Sequence, residues 1–335
     1  MDSATAQLWL GGQDFALTSV PLPQLRDGEL LVRINAATVC GSDRHTVLGR
    51  RPGETPSILG HEGVGTVVAS KRSDVSKGER IVFSVTAPCG ACARCRAGFT
   101  AKCLNVRKIG HELFDSCWRL SGTYSTHIHL LAGHPVSAVP DEIGSAQASV
   151  AGCAIATVMA VMEAAGDFSG KTVLVNGVGM LGLVAIVEAK RRGAGLVIGC
   201  DMNRLSLDAA DGVADRLVTS AKGGTADIVL ELSGAIGGVV DSLAACKVGG
   251  TVVLAGSVTP AGTVKIDPEW VVRGWRSITG VHNYEPRHLA NAVEFLGAAG
   301  RMLPWELVLA GPIPFDALPG EFQNPSAGLR TVVVG

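Results

Sequence analysis

A chain of 335 residues, 47% of them hydrophobic, is longer than one core usually grows, so two domains are expected. The 29 Lys and Arg nearly cancel the 30 Asp and Glu, leaving a net charge of −1; without a basic face, a nucleic-acid partner is excluded. Met1–Leu10 has no basic segment ahead of a long apolar run. The longest apolar run, Val173–Val187, is broken by Asn176 and glycines and falls short of the roughly 20 residues that span a bilayer. The sequence therefore reads as a cytoplasmic protein with no membrane partner. Its nine cysteines read as metal ligands and reduced thiols rather than disulfides.

Residues 1 to 85 read as short strands punctuated by Gly and Pro, the pattern of a compact β barrel. Residues 29–36, 63–69 and 77–83 are the clearest candidates, rich in branched side chains. Between the first two lies Cys40-Gly41-Ser42-Asp43-Arg44-His45, followed by Gly60-His61-Glu62 about one strand, turn and strand later. A thiolate, an imidazole and a carboxylate are donors that zinc prefers. Ser42 and His45 add a hydroxyl and an imidazole able to carry off a proton. Taken alone, these residues suit a buried cysteine, a surface histidine and a loop equally well.

Cys89, Cys92 and Cys95, with Cys103 after seven intervening residues, form a C-x2-C-x2-C-x7-C quartet. Four thiolates at that spacing make a closed tetrahedral cage for one structural zinc, with no position left for chemistry. On ligand type an iron–sulfur cluster remains open. His111 and Glu112 are candidates for lining a pocket. His127 and His129 read as one face of a strand over 124–130, as satisfied histidines rather than metal ligands. A helix is expected over 145–165, carrying Gly152-Cys153 as a candidate third ligand for the first metal; from the residue alone, Cys153 reads as a small buried hydrophobe.

A β-α alternation follows. The strand 171–176 runs straight into Gly177-Val178-Gly179-Met180-Leu181-Gly182 and then a helix to Arg192, which is G-x-G-x-x-G in its required setting. The helix N-terminus would face a pyrophosphate with free N–H groups. The next strand, 196–200, ends in Asp201, whose carboxylate suits ribose hydroxyls and repels a 2′-phosphate, so NAD is favoured over NADP; Arg204 keeps NADP from being excluded. Further strands are expected at 226–231, 250–255, 278–281 and 329–334, with helices at 237–246 and 286–299.

Together these motifs resemble the zinc-containing medium-chain dehydrogenase/reductase family, of the alcohol, sorbitol and threonine dehydrogenase type, over nearly the whole chain. The resemblance implies an α/β fold: a GroES-like β-barrel catalytic domain (1–153 and 284–335) and a Rossmann NAD(P)-binding domain with a doubly wound parallel sheet (154–283). It implies a catalytic zinc on Cys40, His61 and Cys153, with Glu62 able to replace a ligand transiently and Asp43 orienting His61. Ser42 would bond the substrate oxygen and His45 would end a proton relay through the cofactor ribose. Thr157 would contact the nicotinamide and Arg330 the pyrophosphate. The sorbitol and threonine branches carry a carboxylate as third ligand, so Cys153 sides with the alcohol branch.

The implied activity is hydride transfer between a small-molecule alcohol and NAD through a zinc-bound alkoxide, with two zincs per chain. The polar stretch Gly280–Tyr284 and the scarcity of aromatics suggest a polyol, cyclitol or phosphorylated alcohol, with a resemblance to members associated with phosphonate or cyclitol metabolism. The family forms homodimers and homotetramers. Two rivals are a zinc-independent enone or quinone reductase, which needs no ligands at 40, 61 and 153, and a non-catalytic dinucleotide-binding protein, which needs no relay.

Overall fold

The computed structural model describes residues 3–115, 117–221 and 223–335. The chain divides into two compact units: Met1–Ala156 with Glu285–Gly297 and Leu309–Gly335, and Thr157–Tyr284 with Ala298–Val308.

The first unit is built on β structure. Its main sheet runs in the order Val136–Ala138, Arg80–Phe83, Glu62–Ser70, Leu30–Val39, Arg330–Val334, Leu309–Pro314, and His127–Leu130 also pairs with Leu30–Val39. A second sheet joins Asp14–Pro21, Ser3–Gly11 and Ser57–Ile58. Alternating side chains close two apolar clusters, one around Trp9, Ile58, Tyr124 and Phe322, the other around Ile81, Phe83, Trp118 and Ile128. Strand register then decides where the chemistry falls. Thr38 lies opposite Glu62, and Val39 opposite Thr331. Cys40, Glu62 and Arg330 therefore emerge at one end of three adjacent strands, although Arg330 is far from the other two in sequence.

The second unit holds six parallel strands in the spatial order Arg216–Val218, Leu196–Cys200, Thr172–Asn176, Ala226–Glu231, Cys246–Leu254, Ser277–Gly280. Numbered along the chain this is 3-2-1-4-5-6, the doubly wound order whose reversal point lies beside the first strand. The near-continuous apolar runs read as buried parallel strands are those strands, and Leu174, Ile198, Val229 and Val252 sit in their core.

Two local readings are sharpened by the structure. The segment after Cys40, which the sequence leaves without an assigned element, is a helix, Gly41–Val47. Asp43 stabilises its start by accepting the Cys40 N–H at 3.0 Å. The helix expected over 145–165 is not uniform: Ser145–Ser149 and Ala156–Ala165 flank a π-helical turn, Ala151–Ile155, marked by the Ile155 N–H donating to Val150 O five residues back. By length and composition Ser145–Ala165 could cross a bilayer, yet 72% of its most apolar window is buried within the protein.

Candidate metal centres and dinucleotide turn

In the first unit one sulfur of Cys40, one of Cys153, a nitrogen of His61 and an oxygen of Glu62 all lie within 4.8 Å of one another. Each arrives by a different local device. Cys40 ends a strand and caps the helix Gly41–Val47. His61 and Glu62 open a strand after Gly60, which has φ +84°; a side chain there would collide with Thr123 Oγ1 and the Tyr124 ring. Cys153 sits in the π turn, where Gly152 passes so close to the Phe83 carbonyl that no Cβ would fit. A π turn rotates one residue out of the regular helical face, and such turns recur at functional sites.

Hydrogen bonds fix the imidazole. His61 Nδ1 lies 3.2 Å from Asp43 Oδ1, and both side chains are 3% exposed. Nδ1 thus donates to Asp43, leaving the Nε2 lone pair for a metal, the usual arrangement of a ligating histidine. Ser42 Oγ lies 3.3 Å from that Nε2. Asp43 is itself held on its other oxygen by the Tyr124 hydroxyl at 2.9 Å. Tyr124 escapes sequence reasoning, because its role depends on a contact 81 residues away and its own neighbours are unremarkable.

Arg330 completes the cluster. Its Nε donates to Glu62 Oε2 at 3.1 Å and one terminal nitrogen to Cys40 Sγ at 3.4 Å. The structure therefore places this residue, read from the sequence as a pyrophosphate partner, in contact with the proposed ligand set. Burial raises the Glu62 carboxyl to about 7, with Arg330 restraining the rise. The Cys153 thiol donating to it, and then the Arg330 and His61 charges, hold the Cys40 thiol well below its usual range against burial. The same bond, with burial added, pushes Cys153 well up. Burial disfavours a charged His61, but the Asp43 carboxylate more than offsets it and the imidazole is raised. A single buried site thus carries a thiolate, a second thiol, an imidazole and a carboxylate beside a guanidinium. Two sulfurs and a nitrogen are the donor set of a catalytic zinc, and the residues fit it.

His45 lies on the same helix as Ser42, one turn on, with its Nδ1 buried and unpartnered among the described residues. His111, left open by its spacing, packs its ring 5.4 Å from the His61 ring. Its Nδ1 lies 2.7 Å from the Ile109 carbonyl and so carries the proton, which leaves Nε2 as an acceptor. Burial, with the His61 and Arg51 charges, lowers its pKa to about 3, so the ring is neutral. Glu112 turns instead to Arg107, at 3.0 Å. His127 is satisfied as expected, its Nδ1 3.0 Å from Thr126 Oγ1; His129 Nε2 lies 3.0 Å from Glu29 Oε2 but makes no hydrogen bond among the described residues.

Four further thiols, Cys89, Cys92, Cys95 and Cys103, also converge within 4.8 Å. Three of their Sγ–Sγ separations are 3.4, 3.5 and 3.8 Å. A tetrahedron of Zn–S bonds of about 2.3 Å has edges of about 3.8 Å, so the cage fits zinc. The segment is docked from the far end of the chain: the Glu285 carboxylate accepts from Thr100 N, Thr100 Oγ1 and Ala101 N at 3.0, 2.5 and 3.1 Å.

In the second unit Gly177 adopts φ +94°, and a Cβ there would strike the backbone at Leu232–Ser233. Nothing lies within 4 Å of a Cβ built on Gly179, the N-cap of the helix Met180–Arg191, so the backbone is open to an approaching phosphate. Asp201 closes the turn, its Oδ2 accepting Val178 N–H at 2.9 Å and Oδ1 accepting Asn203 N–H at 2.8 Å. Arg204 is 85% exposed and folded onto Asp208 at 2.9 Å. Thr157 lies in the first turn of the helix Ala156–Ala165. Asn283, in the polar stretch after the last strand, has φ +59° and a buried amide nitrogen without a partner among the described residues.

Comparison with known proteins agrees with this architecture. Residues 26–141 match the alcohol dehydrogenase GroES-like domain. The chain is 28% identical over 289 residues to an L-threonine 3-dehydrogenase of Sinorhizobium fredii, covering 79% of each. It is 29% identical over 321 residues to a D-altritol 5-dehydrogenase of Agrobacterium fabrum, covering 89% of this chain and 91% of that one. An alcohol dehydrogenase structure from Thermotoga maritima superimposes with a TM-score of 0.89 at 25% identity, covering 99% of both chains.

Proposed function

We propose that this chain, as a zinc-type medium-chain dehydrogenase/reductase and NAD(P)-dependent alcohol dehydrogenase, oxidises a polar secondary alcohol of the polyol type with NAD, reversibly. The observation that carries the reading is the convergence of Cys40, His61 and Cys153, with Glu62, in one buried cluster.

In this reading Cys40, His61 and Cys153 hold a catalytic zinc and Cys89, Cys92, Cys95 and Cys103 a structural one. The catalytic zinc supplies Lewis-acid polarisation of the substrate oxygen, and NAD on the glycine turn supplies the hydride-accepting ring. The protein does the rest. Asp43 locks the tautomer of His61, and Tyr124 locks Asp43. Arg330 neutralises the charge of Cys40 and Glu62, so that a metal and two thiolates can share a dry site without excess negative charge. Ser42, beside His61, takes the substrate hydroxyl proton and passes it toward His45, whose buried Nδ1 has no partner among the described residues. Asp201 favours NAD through the ribose hydroxyls, and Arg204, turned onto Asp208, offers little to a 2′-phosphate.

The substrate class rests on His111. A neutral imidazole with a free acceptor beside His61 suits a second hydroxyl rather than an aliphatic chain, and a relative covering most of the chain is a D-altritol 5-dehydrogenase. Cyclitols present the same vicinal hydroxyls; phosphorylated alcohols would additionally use Arg51. Association as a dimer is supported by exposed apolar side chains near the edge strand Ser277–Gly280, Val272 at 71% and Trp275 at 86% exposed.

Metal analysis and a substrate panel test the reading together. About two zincs per chain are expected, falling to about one in Cys40→Ser with an unchanged circular dichroism spectrum. NAD reduction is expected with polyols or cyclitols above simple alcohols, and His111→Leu should reverse that order. A single zinc in the wild type, retained in Cys40→Ser, would instead support the zinc-independent reductase.

A further inference from the structure

Apart from the metal centres, the first unit carries an open cavity of about 580 Å³, within the range of roughly 300–1,000 Å³ typical of small-molecule sites. Most of its wall is apolar: Leu31, Val68, Phe315 and Val333 come from separate strands and the C-terminal segment. Two of its polar side chains are basic, Arg33 and His127. They lie directly opposite each other in the register of Leu30–Val39 with His127–Leu130. Like charges in that position oppose one another, and the Arg33 guanidinium, after burial, is what lowers the His127 pKa. No Asp or Glu side chain lines the cavity among the described residues, and Arg33 has no side-chain partner among them.

We propose that this cavity binds a small amphipathic monocarboxylate, with its carboxylate between Arg33 and His127 and its apolar tail against Leu31, Val68, Phe315 and Val333. An anion there ends the opposition of the two basic groups, and the tail replaces water on an apolar wall. A neutral alcohol of equal length gains only the second effect, and an amine would set a second positive charge beside Arg33. None of the ligand residues of either metal cluster lines the cavity, so this site is separate from them.

Calorimetric titration of the zinc-loaded protein with octanoate, octanol and octylamine tests this. Octanoate should bind with one site per chain and up to about fivefold more tightly than octanol, the difference an exposed charge pair supplies; octylamine should not bind. Arg33→Gln should bring octanoate down to the level of octanol. Ala69→Leu, which fills the cavity from its wall, should weaken both without lowering the melting temperature. Cys40→Ser should leave octanoate binding unchanged, which separates this cavity from the metal centre and from the proposed dehydrogenase activity. Equal affinity for octanoate and octanol, indifference to Arg33→Gln, or loss of binding in Cys40→Ser would each overturn the proposal.

Discussion

The Tyr124 hydroxyl donates to Asp43 across 2.9 Å in a setting where both side chains are buried. Burial, with the Asp43 charge, holds the phenol well above its usual pKa, so Tyr124 stays a donor across the working range. Asp43 thereby accepts from Tyr124, from the Cys40 N–H and from His61 at once. Tyr124→Phe removes one of these donors without changing shape. Partners that orient a ligating histidine are commonly worth a factor of ten or more in metal affinity. The variant should bind zinc roughly tenfold more weakly in a chelator competition, with a stability loss of only about 1 kcal/mol; unchanged zinc affinity would confine Tyr124 to packing.

Arg330 and Glu62 make a second testable pair. Glu62 is fully buried and Arg330 nearly so. Removing one member of a buried ion pair strands the other charge, a loss of about 3–5 kcal/mol. Arg330→Met should lower the urea midpoint of the metal-free protein accordingly. Adding Glu62→Gln should recover part of the loss, and additive losses in the double variant would mean that the two residues do not act as a pair.

His134 gives the protein an acid limit away from the metal. It is fully buried, and its Nε2 lies 2.7 Å from the Ser84 carbonyl. Burial lowers its pKa to about 4, only partly opposed by that bond. A histidine with a depressed folded pKa takes up a proton more readily unfolded than folded. Its contribution is therefore complete above pH about 6.5 and is lost as the pH falls from there toward about 4, a change on the order of 3 kcal/mol. His134→Gln can keep the bond to Ser84 while removing the titration. Its unfolding free energy should be lower at neutral pH but visibly flatter between pH 6.5 and 4, as read from urea melts across that range.

Asp201 serves the glycine turn as well as any ribose, since Val178 and Asn203 both donate to it. Asp201→Ala should raise KM for NAD by about tenfold or more and leave KM for NADP less affected, so that the ratio of kcat/KM values moves toward NADP. A wild type that already prefers NADP would refute the assignment of NAD.

Much of this is legible in the sequence, and the reasons differ by element. The parallel strands announced themselves because burial on both faces writes continuous apolar runs. The four-thiol cage could be read because its ligands lie within one local segment, where spacing is geometry. Cys40, His61 and Cys153 are scattered, and it took the resemblance to a family to group them. The family resemblance puts Arg330 at the pyrophosphate, and no sequence pattern reveals that Val39 faces Thr331 across a sheet, which carries Arg330 to Cys40 and Glu62 instead. The π turn was invisible for a related reason. Small apolar residues allow either helical form, and the choice is made by what Gly152 packs against, the Phe83 carbonyl.

That turn also bears on how such a centre could be gained or lost. A π turn holds one residue more than the α-helical turn it replaces, and each helical residue advances the direction of its side chain by about 100°. Deleting a single codon within Ala151–Ile155 is expected to restore a regular helix and swing the thiol at 153 away from its partners, while every other ligand stays in place. Along this stretch, a lineage could pass between metal-bearing and metal-free descendants through one insertion or deletion event.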